Sequence, residues 1–338
     1  MPERVTTIER LAAHWRVALP APFSNLYAAR REPVAGSCEL APIEALLEDE
    51  LRWRGIYPRL LPFGSDGEGA VFALLAADGL PVMRWTEDAD HCVPVASSFA
   101  AFLGWCRLTA AYERQDAAPD AAEPSDDAAP VGGPLPRTER ELNEALVRAD
   151  PLAPHALAVL ACDVLRRGDA GGAASLTARA ASAAPWFGDA WFLRGHVGAT
   201  TGHAAEAAAS WLLALRCPIA LTSSTGAYGL DADGDDVQIP EAVVDGLRAM
   251  SGALPTGDPL VALALGEHPF SVGTRLALAL ALEAAGDIGG AERETHNALA
   301  LATDDSALDH AYDALIDLLR RTGRPHDAER CRRDAELA

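Results

Sequence analysis

Between residues 157 and 214 the chain repeats itself at a spacing of 34. Setting Gly168 above Gly202 places Leu157 over Trp191, Ala161 over Gly195, Ala173 over Ala207, Thr177 over Trp211 and Ala180 over Ala214. A repeat of this length holds one pair of helices, too small to bury its own apolar face, so successive pairs must stack to make a core. The residue types suit that task. Small side chains at Ala161/Gly195 and Ala173/Ala207 let antiparallel helices approach closely, Gly168 and Gly202 supply the turn after a first helix, and Pro185 and Pro218 end a second one.

Two more units follow from Gly286 and Gly323. Ala279, Ala291 and Ala298 take the small positions of one, and Ala328 and Ala335 those of the other, with Ile316 where a smaller residue is expected. The two glycines are 37 apart, so a short insertion separates these units. Upstream, Pro151 lies 34 before Pro185, which makes 138–149 a capping or half-repeat helix. These residues resemble the tetratricopeptide repeat (TPR) over about 200 residues. The resemblance implies an all-α repeat domain over 137–338 that binds other proteins.

The period breaks at 219–270, an irregular insertion. It opens with a polar loop, TSSTGAYGLDADGDD, and continues into an expected helix from Pro240 to about Ser251, with proline in its first turn. The spacing of Asp231, Asp233 and Asp235 suggests a calcium loop, but Asp236 stands where the turn needs glycine and Ala242 where the twelfth position needs glutamate. An exposed acidic loop is expected instead.

The stretch at 114–136, QDAAPDAAEPSDDAAPVGGPLP at its centre, mixes Pro, Ala and acidic residues without a hydrophobic period and is expected to be an exposed linker. Residues 1–113 before it read as an α+β domain. An amphipathic helix near 7–17 and a short one near 24–29 precede two apolar runs about a glycine-rich turn at 60–75, a further strand at 81–85, and a closing helix with Ser97 or Ser98 as N-cap. That helix sets Phe99, Phe102, Leu103 and Cys106 on one face. Trp15, Trp53, Trp85, Phe99 and Trp105 are expected in the core.

The motifs LPAPF at 19–23, LPFGSDGEG at 61–69, PVMRWTEDAD at 81–90 and VASSFAAFL at 95–103 resemble the SUKH superfamily, founded on a yeast cell-wall regulator. This chain continues AARREPVAG at 28–36, where that family commonly carries an Asn-Gly pair. The resemblance implies an immunity-type protein of bacteria that neutralises a partner toxin.

Composition excludes several chemistries. The 28 basic residues are all arginine, so a P-loop lysine, a Schiff-base lysine and a lysine peptide clamp are impossible. A net charge of −21 disfavours nucleic acid and anionic membranes and favours basic partners, such as a nuclease-type toxin. Six scattered cysteines form no CxxC pair, and the nine histidines form no HExxH. There is no GxSxG, and the GSDGEG stretch at 64–69 is better read as a turn between strands than as a phosphate cradle. The opening residues lack a signal-peptide apolar core and no apolar run is long enough to span a membrane, so a cytoplasmic, non-enzymatic protein without cofactor is expected.

Candidate binding residues fall in two groups. In the first domain, Asp66, Glu68, Glu87, Asp88 and Asp90 make acidic loops. In the repeats, the groove positions that the TPR resemblance implies are His155, Arg166, Asp189, Phe192, His196, Asp313, Asp317 and Arg320. They suit a peptide or helix in the repeat groove. Toxin binding by the first domain is the leading expectation, and a scaffold that uses the repeat groove is its rival.

Overall fold

The computed structural model describes residues 2–29, 38–86, 91–116, 135–230 and 236–337. Contacts divide the chain into two compact units, Met1–Leu51 with Arg59–Arg167, and Arg52–Pro58 with Gly168–Ala338.

The first unit begins with α1 (Pro2–Trp15) and α2 (Ala21–Ala28). Then come β1 (Glu39–Leu40), α3 (Ile43–Leu47), β2 (Leu60–Ser65), β3 (Ala70–Leu75), β4 (Val82–Thr86) and β5 (His91–Ala96). The strands form one antiparallel meander in chain order. Its centre is well registered, with Leu61 opposite Leu74 and Phe72 opposite Arg84, and β2 carries an irregularity between Pro62 and Gly64. α4 (Phe99–Asp116) follows, capped by the Ser98 hydroxyl, which accepts the Ala101 N–H at 3.2 Å.

The core of this unit is aromatic. Phe23, Phe63, Phe72, Phe99 and Phe102 are fully buried, and Phe23 meets Phe99 edge-on at 4.9 Å between ring centroids. Phe63 meets Phe102 in the same way at 5.5 Å. Each such ring contributes about 1.5–3 kcal/mol through burial, with edge-to-face geometry adding to that. Phe99, Phe102 and Cys106 recur at helical spacing, and this brings α4 onto the sheet. Trp15 is buried and Trp105 packs against the cluster.

α5 (Glu139–Ala149) and α6 (Pro154–Arg166) also belong to this unit. Of the linker expected at 114–136, residues 117–134 lie outside the described residues; by contacts, α5 and α6 group with the sheet of the first unit. Between α5 and α6 the Asp150 carboxylate accepts the Ser97 N–H at 2.8 Å and the Ser97 hydroxyl at 2.7 Å. Ser97 follows β5 directly, so the α5–α6 junction is anchored to the sheet, and the two helices group with the first unit.

The second unit holds α7 (Ala170–Ala183), α8 (Gly188–Thr200) and α9 (Ala204–Leu215). After them come α10 (Ile239–Ala249) and α11 (Pro259–Leu265). The last four helices are α12 (Val272–Ala284), α13 (Ile288–Ala300), α14 (Asp305–Arg321) and α15 (Pro325–Ala335). α8 packs on α9, α12 on α13 and α14 on α15, as antiparallel helical hairpins. The small positions found in the sequence sit at the contacts: Ala173, Ala180, Ala207, Ala291, Ala298 and Ala328 are all within 1% of full burial. Ile316, the larger residue at such a position, is 7% exposed and joins the apolar cluster of the last hairpin.

The hairpin turns are built alike. After α8, α12 and α14 the chain turns at Gly202, Gly286 and Gly323, with φ of 79°, 85° and 76°. The next residue's N–H returns to the carbonyl five back: His203 to Gly198, Asp287 to Leu282, and Arg324 to Leu319, each within 2.9 Å. This is the Schellman closure, and its left-handed residue explains the glycine at each turn.

The insertion contains more structure than the sequence suggested. Beyond the expected α10, with Pro240 in its first turn, its described residues hold α11 and three 3-10 turns, Ile219–Leu221, Gly226–Tyr228 and Ser251–Ala253. Trp211 of α9 joins it to the repeats. Its indole lies between Gly195 of α8 and Gly246 of α10, where an added Cβ would come within 2.4 Å and 2.7 Å of the ring, and its Nε1–H donates to the Phe192 carbonyl at 3.1 Å. Both glycines are required by that close approach.

Candidate functional site

α12 and α14 are the first helices of consecutive hairpins, and between them, over α13, lies a cavity of about 190 Å³. Its floor is apolar: Leu276, Ala279, Ala291, Ala314 and Leu318. The floor residues of α14 recur at helical spacing with His310, Asp317 and Arg321, which form the rim on that side. Leu280 of α12 stands at the opening, 63% exposed. Pockets for small-molecule ligands run to roughly 300–1,000 Å³, so this one fits a single anchoring side chain better than a substrate.

The rim is polar and oriented. Arg321 donates through Nε and Nη2 to the two oxygens of Glu283, both at 2.9 Å, fixing α14 to α12 across the groove. The Arg321 hydrogen bonds hold the Glu283 carboxyl below its usual range. Asp317 and Arg320 approach to 3.8 Å on the solvent side, and Asp313 is exposed beside them.

Of the groove positions expected from the sequence, Asp317 lines this cavity, and Asp313 and Arg320 are exposed on the same helix. Those on α8 have other surroundings. Asp189 is completely buried: its carboxylate accepts the Ser223 hydroxyl at 2.6 Å, the Tyr228 hydroxyl at 2.8 Å and the Ser223 N–H at 3.3 Å. It therefore fastens the insertion and offers nothing to a partner. Burial pushes its carboxyl up to about 6 against those hydrogen bonds. Phe192 is 4% exposed, packed in the core, with the half-buried His196 ring 6.2 Å away and held below its ordinary range by burial. His155, half-buried, and Arg166, exposed, lie on α6 in the first unit.

In the first unit Asp66 is a turn staple. Its Oδ1 accepts the N–H groups of Glu68 and Ala70, both at 2.9 Å, and its Oδ2 accepts Arg84 at 2.9 Å. Burial opposes ionisation, but these bonds outweigh it and keep the carboxyl below its ordinary range. Glu68 is exposed at the same turn. Glu87, Asp88 and Asp90 lie outside the described residues, as do Asp231, Asp233 and Asp235. Asp236 is described: it closes the insertion loop by accepting the Ser224 hydroxyl at 2.8 Å and the Gly226 N–H at 2.7 Å.

Leu276, Leu280, Glu283, His310 and Arg321 were missed from sequence. Carrying the groove positions onto the third unit, the one turning at Gly286, would have found the α12 residues, because that unit shares the small-residue pattern of the others. The Glu283–Arg321 pair spans 38 positions and has no local signal.

All six cysteines are buried free thiols. Burial pushes Cys38, Cys162, Cys217 and Cys331 up to about 12, far from thiolate chemistry at neutral pH. Among the described residues no group of three His, Cys, Asp or Glu side chains is placed to hold a metal ion, and no helix is long and apolar enough to cross a membrane.

No family model matches the sequence and no curated protein matches it. The SUKH resemblance therefore rests on its quoted motifs alone. Among the solved structures that show a likeness are three that each match over 58% of this chain. YrrB, described as a TPR protein with an unusual peptide-binding site, is 14% identical, with 91% of its chain covered and a TM-score of 0.26. BtubC from P. vanneervenii is 18% identical, with 85% covered and a TM-score of 0.23. MamA is 11% identical, with 84% covered and a TM-score of 0.19. At these scores the likeness gives no residue-level correspondence.

Proposed function

We propose that this chain is a non-catalytic protein-binding scaffold, and that the groove between α12 and α14 takes a short amphipathic segment of a partner protein. The observation that carries this reading is the apolar floor with Leu280 exposed at its mouth, beside a rim of His310, Asp317 and the Glu283-paired Arg321, with Asp313 exposed on the same helix. An apolar side chain of the partner fills the floor and covers Leu280, while a basic residue one helical turn away faces Asp313 and Asp317. The chain's net charge of −21 favours such a partner before contact.

The toxin-immunity role implied by the SUKH resemblance has less behind it. Of the acidic residues on which it drew, Asp66 is committed to its own turn. The scaffold reading is therefore preferred.

The test is a peptide array read with the full chain and with Leu280→Asp. Amphipathic peptides carrying a Leu, Met or Phe anchor next to Arg or Lys are expected to bind, with at least tenfold loss in the variant. Binding that ignores Leu280→Asp, or a tight one-to-one toxin complex that survives it, would remove the groove from the function.

A further inference from the structure

The second unit contains a heptapeptide from a distant part of the sequence. Arg52–Pro58, RWRGIYP, belongs to it together with Gly168–Ala338. The segment forms neither helix nor strand and is held largely through its side chains, much as a bound ligand would be.

Contacts of several kinds hold it. Arg52 forks onto Asp334 of α15, Nε to Oδ1 and Nη2 to Oδ2, both at 2.7 Å, with the two side chains 3% and 2% exposed. Arg54 reaches the first turns of α14, to Asp305 at 2.6 Å and Asp309 at 2.5 Å. The Gly55 N–H donates to the Tyr312 hydroxyl at 2.9 Å. Tyr57 meets the His296 ring of α13 edge-on, 5.0 Å between centroids. Gly55 sits at φ +89° with its nearest neighbour, Leu308 Cδ1, 3.9 Å from an added Cβ, so glycine is required by conformation and not by space.

A buried carboxylate matched by a planar guanidinium is a specific arrangement. Bidentate geometry selects arginine over any point charge, and this chain uses no lysine at all. We propose that the face formed by α13, α14 and α15 is a recognition site for arginine-bearing segments of the pattern Arg-x-Arg-Gly-x-aromatic, occupied here by the chain's own Arg52–Pro58. A partner segment of that pattern binds by displacing it. The site is separate from the α12–α14 groove and does not depend on that groove's role.

The test uses the full chain and a fluorescein-labelled synthetic peptide spanning residues 50–60. Arg52→Ala with Arg54→Ala and Tyr57→Ala weakens the internal segment and leaves the receiving residues intact. This variant is expected to bind the peptide at least tenfold more tightly than the unaltered chain does. Adding Asp334→Asn, or replacing the first arginine of the peptide with alanine, is expected to abolish the gain. Since Arg52→Ala strands a buried carboxylate, a milder variant, Arg54→Ala with Tyr57→Ala, is measured beside it. For both variants, saturating peptide is expected to raise the melting temperature. No binding and no thermal shift in either variant, or binding that Asp334→Asn leaves unchanged, would overturn the proposal.

Discussion

Arg52 and Asp334 stand 282 positions apart in sequence, yet their side chains meet through two parallel hydrogen bonds of 2.7 Å with almost no exposure to water. Taking two charges out of water is costly, and only good geometry offsets it; once formed, the pair is far more expensive to break than to leave alone. Asp334→Ala should therefore destabilise the second unit by about 3–5 kcal/mol. Urea denaturation followed by helical circular dichroism measures this. A loss below about 1 kcal/mol would show that the pair is already open to solvent.

Asp189 gives the insertion a pH dependence. Its folded value of about 6 lies above the ordinary 3.8, mainly because burial penalises the charged form, with the Ser223 and Tyr228 hydrogen bonds opposing. Between those two values the folded state holds a proton that the unfolded chain has lost, so this group's contribution falls as pH rises from about 4 to 6 and is level above. The fall is on the order of 3 kcal/mol. Asp189→Asn keeps an acceptor for Ser223 and should flatten stability across that window. A variant with the same slope as the unaltered chain would assign the dependence elsewhere.

Trp211 is held between two glycines, and each should be intolerant of a methyl group. Gly195→Ala and Gly246→Ala place a carbon 2.4 Å and 2.7 Å from the indole and should cost about 1–3 kcal/mol each. Combining Gly195→Ala with Trp211→Phe should cost less than the sum of the single changes, since the smaller ring clears the added carbon. Thermal melts of the three proteins decide it, and strict additivity would place the strain elsewhere.

Two glycines of one hairpin should respond to alanine with opposite signs. Gly286 turns the chain at φ +85°, so Gly286→Ala should cost about 1 kcal/mol. Gly273 lies inside α12 with no atom within 4 Å of an added Cβ, and Gly273→Ala should gain about 0.5 kcal/mol through helix propensity. Equal effects in chemical denaturation would show that the turn glycine is not conformationally required.

The helices of the repeats were legible because they depend on short-range physics. Gly202, Gly286 and Gly323 mark turns whose hydrogen bonds close within six residues, and Thr138 caps α5 by accepting the Glu141 N–H at 3.2 Å. Phe99, Phe102 and Cys106 announced the buried face of α4 by spacing alone. The candidate site was only partly legible. Asp317, expected from its place in a repeat, lines the cavity, whereas Asp189, another expected groove position, was taken over by an insertion that no repeat pattern foretells.

By itself, then, the sequence determined the repeat of helical hairpins, the glycine turns between them and the hairpin strands of the first domain. Each follows from periodicity or from a backbone conformation that one residue type permits. Tertiary structure alone decided where the chain divides, which buried charges pair, and which face of α12 and α14 stays open. Those outcomes depend on side chains brought together from distant positions, as with Arg52 and Asp334, and on desolvation at the point of contact, which no local pattern of residues records.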